Sequence, residues 1–319
     1  MNGAVVIVQL TPFKEDGFVD YEALKQNTSF LVEKKDYGPM VLVPTGSTGE
    51  FYAMNDEERK KVVKTVVDVA GGKIPVIAGT GQAGTMPTIE FSKYAKDVGV
   101  DGVMIILPYY HVAEEEGMYL HYKEIAEKVD IEIMLYNNPD TSKVYIKPNL
   151  MKRIVNDIPK IVAVKENTPY VFTLYQHIRN VGDKVAILQG RGEWWYAATA
   201  MLGVRGYISG YANFMPERCL DLLKAGLSKD YTKVKEFMDF IYNLDGFIVR
   251  MAEKYGPSTT ILPYPYVNSY MAFPVMKAAM DILGLTGGKM RLPILNLKDE
   301  DRKELENILF DEMGLQKIG

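Results

Sequence analysis

Eight short runs rich in valine and isoleucine, spread over the first two thirds of the chain, constrain its fold more than any other feature. They fall at residues 4–9, 40–43, 74–78, 102–107, 131–135, 161–164, 185–188 and 204–208. Between them, stretches such as 56–70, 86–98, 115–129 and 170–181 carry apolar residues at helical spacing, several opening on an acidic residue or a proline. Near-continuous apolar strands belong to a sheet covered on both faces. Regular alternation through eight units favours a closed parallel barrel over an open doubly wound sheet, and no G-x-G-x-x-G follows the first strand to support dinucleotide binding. After about residue 226 the pattern turns to helices alone, at 230–254, 270–283 and 299–313. The expectation is an α/β fold: a (β/α)8 TIM barrel over residues 1–225 with a C-terminal helical appendix over 226–319 packed on it.

Composition narrows the classes of function. With 319 residues, 47% hydrophobic and 24% charged, the chain can bury a large core. A net charge of −4 with mixed signs lacks the basic stripe that nucleic acid or an anionic membrane requires. No segment approaches eighteen uninterrupted apolar residues, and the N-terminus has no basic leader or cleavage site; a cytoplasmic protein is expected. Cys219 is the only cysteine and reads as a packed helix residue. His111, His121 and His177 have no metal-ligand spacing. Small-molecule chemistry, with no metal, is the default.

In such a barrel the chemistry belongs at the C-terminal strand ends. Lys165 closes the apolar run 161–164; a lysine there is a candidate Schiff-base nucleophile, although pairing with the adjacent Glu166 is the simpler reading. Strand two ends in Gly46-Ser47-Thr48-Gly49-Glu50, where glycines permit a sharp turn and hydroxyls and amides can donate to an anion. A plain turn before a helix cap would look the same. Strand four ends in Pro108-Tyr109-Tyr110, strand five in Tyr136-Asn137-Asn138-Pro139, and strand seven in Gly190-Arg191-Gly192-Glu193. The tyrosines could equally be core residues with a hydroxyl at the rim.

Taken in order, G-S-T-G-E at 46–50, P-Y-Y at 108–110, Y-N-x-P at 136–139 and V-K-E at 164–166 resemble the dihydrodipicolinate synthase and N-acetylneuraminate lyase family. The likeness runs from Gln9-Leu10-Thr11-Pro12 through Gly206-Tyr207-Ile208-Ser209 and into the helical tail. It implies a barrel, assembled as a homotetramer, that condenses or cleaves 2-oxo acids through a lysine imine without metal or organic cofactor. By that resemblance Lys165 attacks the keto carbon and Ser47 and Thr48, in the loop opened by Gly46, bind the substrate carboxylate. Tyr136 relays protons, Tyr110 supports the relay from a neighbouring subunit, and Gly190 and Ile208 join the substrate-binding set. Burial under an apolar wall lowers a lysine's proton affinity, and the protonated imine is an electron sink for cleavage, condensation or loss of a leaving group.

Three departures bear on substrate. The synthases carry an arginine five positions after the strand-five tyrosine, where this chain has Thr141, which cannot make a bidentate contact to a carboxylate. Asn138 is an amide where an apolar residue is usual. Glu193 matches one of the acidic residues that sialic acid lyases set against sugar hydroxyls, and Gly192 replaces the other. Glu193 reading a hydroxyl and Arg191 a distal anionic or polar group suggest a lyase or dehydratase for 2-keto-3-deoxy sugar acids. Alternatively the two residues form a surface pair opening the next helix. Condensation of pyruvate with an amino-aldehyde is the second reading, and a non-catalytic 2-oxo-acid sensor on the same barrel the third. The aromatic cluster Tyr264, Tyr266 and Phe273 is expected to pack helices and stay outside the site.

Overall fold

The computed structural model describes residues 3–256 and 269–318. Eight parallel strands form one sheet: β1 (Ala4–Val8), β2 (Met40–Val43), β3 (Ile77–Gly79), β4 (Gly102–Ile106), β5 (Ile133–Asn137), β6 (Ile161–Glu166), β7 (Ala186–Gln189) and β8 (Gly206–Ser209). Their order is β2-β1-β8-β7-β6-β5-β4-β3, and a parallel bridge between Leu42 and Val76 joins the last pair. The molecule is the TIM barrel that the alternation predicts. Among the described residues, no helix is long and apolar enough to cross a membrane.

The strands are buried on both sides, which explains their unbroken apolar character. Inward side chains, among them Val6, Val41, Met104, Met134, Ala163 and Leu188, fill the barrel lumen. Outward ones pack under a ring of helices: α1 (Tyr21–Glu33), α2 (Asp56–Ala70), α3 (Thr85–Asp97), α4 (Glu115–Lys128), α6 (Pro148–Asp157), α7 (Val171–Val181), α8 (Glu193–Thr199) and α9 (Pro216–Ser228), with the short α5 (Pro139–Ser142) in the loop that follows β5. Local chemistry starts these helices. Asn55 and Glu58 form a reciprocal capping box on α2, and prolines occupy the first turns of α5, α6 and α9.

One irregularity in β6 decides which way the site points. Ile133 pairs with Ile161 and Met134 with Ala163, so Val162 is an extra residue opposite β5. Ile161 and Val164 therefore both pack outward, whereas Ala163 packs into the lumen. Beyond the bulge the ordinary alternation sends Lys165 inward and Glu166 outward.

Past α9, which runs beyond residue 225, come α10 (Tyr231–Tyr255), α11 (Ser269–Leu283) and α12 (Asp299–Asn307). α10 packs on α8, α9 and α11, on the flank of the barrel that bears β7 and β8. The segment after α11 reaches the adjoining β1 side, where Lys289 N donates to Phe13 O at 2.8 Å.

Candidate active site

A cavity of about 380 Å³ opens at the C-terminal strand ends, lined by Ser47, Thr48, Tyr136, Asn138, Lys165, Gly190, Arg191, Glu193 and Ile208 among others. Nine of the residues singled out from sequence thus meet in one place. Gly46 stands behind the cavity, where a β-carbon would lie 2.5 Å from Val8 Cγ1; its contribution is room for the turn. Gly190 is similarly constrained, since a β-carbon there would fall 1.8 Å from Asn167 Oδ1. Tyr110 lies outside the cavity and is 71% exposed, its ring edge-on to His111.

Lys165 is 3% exposed, and burial alone brings its amine down to about 7. At neutral pH a large fraction is therefore the nucleophilic free base. The pairing with Glu166 does not occur. Glu166 faces the other side of the sheet, accepts from Asn137 Nδ2 at 2.9 Å and Thr168 N at 2.7 Å, and lies 2.7 Å from His177 Nδ1.

Tyr136 is the neighbour of Lys165 across β5 and β6, and the amine sits 3.7 Å from the centre of its ring. The phenol is buried, accepts from Asn138 Nδ2 at 2.8 Å and shares a hydrogen bond with Ser47. Burial, reinforced by the Asp140 carboxylate, pushes its proton affinity far above that of an ordinary tyrosine. It remains a phenol at neutral pH, linked through Ser47 to the turn at residues 46–50 and standing beside the Lys165 amine.

The surface pair of Arg191 with Glu193 is overturned. Arg191 Nη1 instead contacts Asp140 Oδ2 at 2.8 Å, with both side chains largely buried, and its guanidinium stands 5.3 Å from the Trp195 ring centre. Burial raises Asp140 to about 6 against the opposing pull of Arg191. Glu193, buried at the start of α8, accepts from Ser209 Oγ at 2.5 Å and lies 3.8 Å from the thiol of Cys219, which is packed inside α9; burial lifts the Glu193 carboxyl to about 7. One Glu193 oxygen is thus already engaged, and Arg191 is held by a residue the sequence reading passed over.

Asp140 was missed although it directly follows the Y-N-x-P motif. Asp245 of α10, which also lines the cavity, accepts from Trp194 Nε1 and Tyr211 Oη and is raised to about 7 by burial. Nothing in a helix rich in charged residues marks it out. Phe273 is a correction as well: with Ala272 and Met276 of α11 it lines the cavity. Tyr264 and Tyr266 lie outside the described residues. Among the described residues no group of three acidic, histidine or cysteine side chains could hold a metal ion.

A parallel eight-stranded barrel that buries a lysine at the end of β6, against a phenol on β5 and below a hydroxyl-bearing turn, has the architecture of the lysine-imine lyases. The sequence model of the Dihydrodipicolinate synthetase family matches residues 2–311, and the chain belongs to that family. It is a lyase working through a lysine imine. The 4-hydroxy-tetrahydrodipicolinate synthase of Methanocaldococcus jannaschii is 34% identical over 306 residues, 96% of each chain. The crystal structure of dihydrodipicolinate synthase from Aquifex aeolicus superposes with a TM-score of 0.85 at 30% identity, covering 100% of both chains. The Acinetobacter baumannii dihydrodipicolinate synthase, solved with pyruvate, gives 0.82 at 29% identity, covering 98% of this chain and 99% of that one.

Proposed function

We propose that this enzyme condenses pyruvate with an amino-aldehyde, the reaction of a 4-hydroxy-tetrahydrodipicolinate synthase. Pyruvate binds with its carboxylate against Ser47 and Thr48, and neutral Lys165 attacks its keto carbon. Tyr136 delivers the proton that lets the carbinolamine lose water. The resulting imine passes a methyl proton to the Tyr136 phenolate and becomes the enamine, whose carbon attacks the aldehyde while Tyr136 protonates the new oxygen; attack of the product's own amine on the imine carbon then frees Lys165.

The observation that carries this reading is the Arg191–Asp140 pair inside the cavity. Thr141 cannot replace the arginine that synthases place on strand five, and its hydroxyl accepts from Asn138 Nδ2 at 3.0 Å. Arg191 brings a guanidinium into the same cavity from the strand-seven loop. A guanidinium and a carboxylate side by side match the carboxylate and ammonium of a zwitterionic amino-aldehyde. The whole-chain similarity to named synthases supports the same substrates. The enzyme works in the cytoplasm as a homotetramer, with Tyr110 completing a neighbour's proton relay.

A second reading, aldol cleavage or dehydration of 2-keto-3-deoxy sugar acids, is favoured by Glu193: its raised carboxyl can donate to or accept from a sugar hydroxyl. Product analysis by mass spectrometry separates the two. The enzyme is supplied with pyruvate and aspartate semialdehyde in one arm and with a panel of 2-keto-3-deoxy acids in the other. A condensation product, with Arg191→Ala raising KM for the aldehyde and leaving KM for pyruvate in place, supports the synthase. Pyruvate release or dehydration in the second arm at a higher kcat/KM overturns it.

A further inference from the structure

The anion-binding turn ends on an unusual residue. Glu50 adopts a left-handed conformation, φ 56° and ψ 37°, which a non-glycine residue holds only when its surroundings impose it. Its side chain is fully buried and forms an ion pair with Lys277 of α11, itself 1% exposed. Its other oxygen accepts from Arg291 N at 3.2 Å. Lys277 Nζ also donates to Lys289 O at 2.6 Å and stands 4.6 Å from the centre of the Phe13 ring. The Arg291 guanidinium continues the lock, donating to Gly17 O, Ala53 O and both oxygens of Glu58.

A buried pair such as this is seldom needed for stability, because apolar residues of similar volume serve as well. Its placement gives it another use. The turn is tight against the end of β1: a β-carbon on Gly49 would lie 2.6 Å from Gln9 O, and Thr11 Oγ1 donates to Gly49 O at 2.8 Å. Those contacts fix the inner side of the turn, whereas Lys277, reaching over from the C-terminal helices, fixes its outer end.

We propose that Lys277 is a positioning residue which, through Glu50, holds the Ser47-Thr48 turn in the conformation that receives the substrate carboxylate. The C-terminal helical region thereby sets the affinity for the 2-oxo acid from outside the barrel. The inference rests on the reading of pyruvate as the first substrate, and its test keeps the two apart. Lys277→Met is compared with wild type by amide hydrogen exchange over residues 45–51 and by pyruvate kinetics. Should the single variant fail to fold, Glu50→Gln with Lys277→Met removes both charges and the same contact.

Faster exchange confined to the turn is expected, together with a rise in KM for pyruvate of about ten-fold, the equivalent of one hydrogen bond to a charged group, and a kcat within about two-fold of wild type. Unchanged exchange in the turn would overturn the proposal. So would a kcat that falls with the folded fraction while KM stays put, since that is the mark of a merely structural pair. Faster exchange in the turn in a protein whose wild type forms no pyruvate adduct would support the clamp and defeat the pyruvate reading alone.

Discussion

Replacing Lys165 by methionine should make this protein more stable. The amine lies at about 7 when folded, against the ordinary 10.5, so burying it costs the fold on the order of 4–5 kcal/mol at neutral pH. The Tyr136 ring, 3.7 Å from Nζ, returns about 1–2 kcal/mol to the charged form, which leaves a net cost of roughly 2–4 kcal/mol. Methionine keeps the unbranched stem without the charge. For a chain of this length the gain corresponds to a rise in Tm of roughly 3–6 °C.

The sign with pH is fixed by the direction of the shift. Because the folded value lies below the unfolded one, the unfolded chain binds more protons between about pH 7 and 10.5, and wild-type stability climbs through that window. The penalty is fully present below pH 7 and gone above 10.5, so the advantage of Lys165→Met is greatest at neutral pH and shrinks toward pH 10. Paired unfolding curves at pH 7 and pH 10 measure it. A variant no more stable than wild type at pH 7, or a gain of equal size at both pH values, would refute the desolvation argument.

Four other outcomes follow from the same geometry. The rate of borohydride-trapped pyruvate adduct formation should rise through about pH 7, following the free amine of Lys165, and level off above; a midpoint near 10 would contradict its burial. Tyr136→Phe should lower kcat by roughly 10²–10⁴, the usual worth of a positioned acid–base group, and slow adduct formation with it, while KM for pyruvate stays near the wild-type value. Glu166→Ala, which strands the donors on Asn137, Thr168 and His177, should cost about 3 kcal/mol in a urea titration and leave the pH midpoint of adduct formation unmoved. If Tyr110 serves a neighbour's site, specific activity should fall on dilution in step with dissociation seen by light scattering; an active monomer would exclude that role.

Much of this architecture can be read from the chain because a doubly covered parallel sheet imposes a simple pattern. Val, Ile and Leu recur through the strands, polar residues cluster where strands end, and the alternation with helices fixes the topology. What the sequence does not disclose are contacts that depend on register or on distant elements. Lys165 and Glu166 are adjacent, and only the extra residue at Val162 determines which of them enters the barrel. Asp140 follows a recognisable motif, yet its partner Arg191 is 51 residues away. Phe273 sits in an aromatic-rich stretch that reads as packing, and the cavity face of α11 emerges only once that helix is laid against the β7 and β8 loops.

Three carboxyl groups line the cavity, yet they do not hold Lys165 in its charged form. Asp140 lies at about 6, Glu193 at about 7 and Asp245 at about 7, each raised chiefly by burial. Each is also committed elsewhere: Asp140 to Arg191, Glu193 to Ser209, Asp245 to Trp194 and Tyr211. Burial is accordingly the dominant cause acting on the Lys165 amine. The low polarity that frees the lysine also keeps the acids weak, so nucleophile and acids coexist near neutral pH with little net charge between them. An anionic 2-oxo acid can then enter without meeting a fixed negative wall, and both the Arg191 guanidinium and the hydroxyl-bearing turn at Ser47 and Thr48 line the cavity it enters.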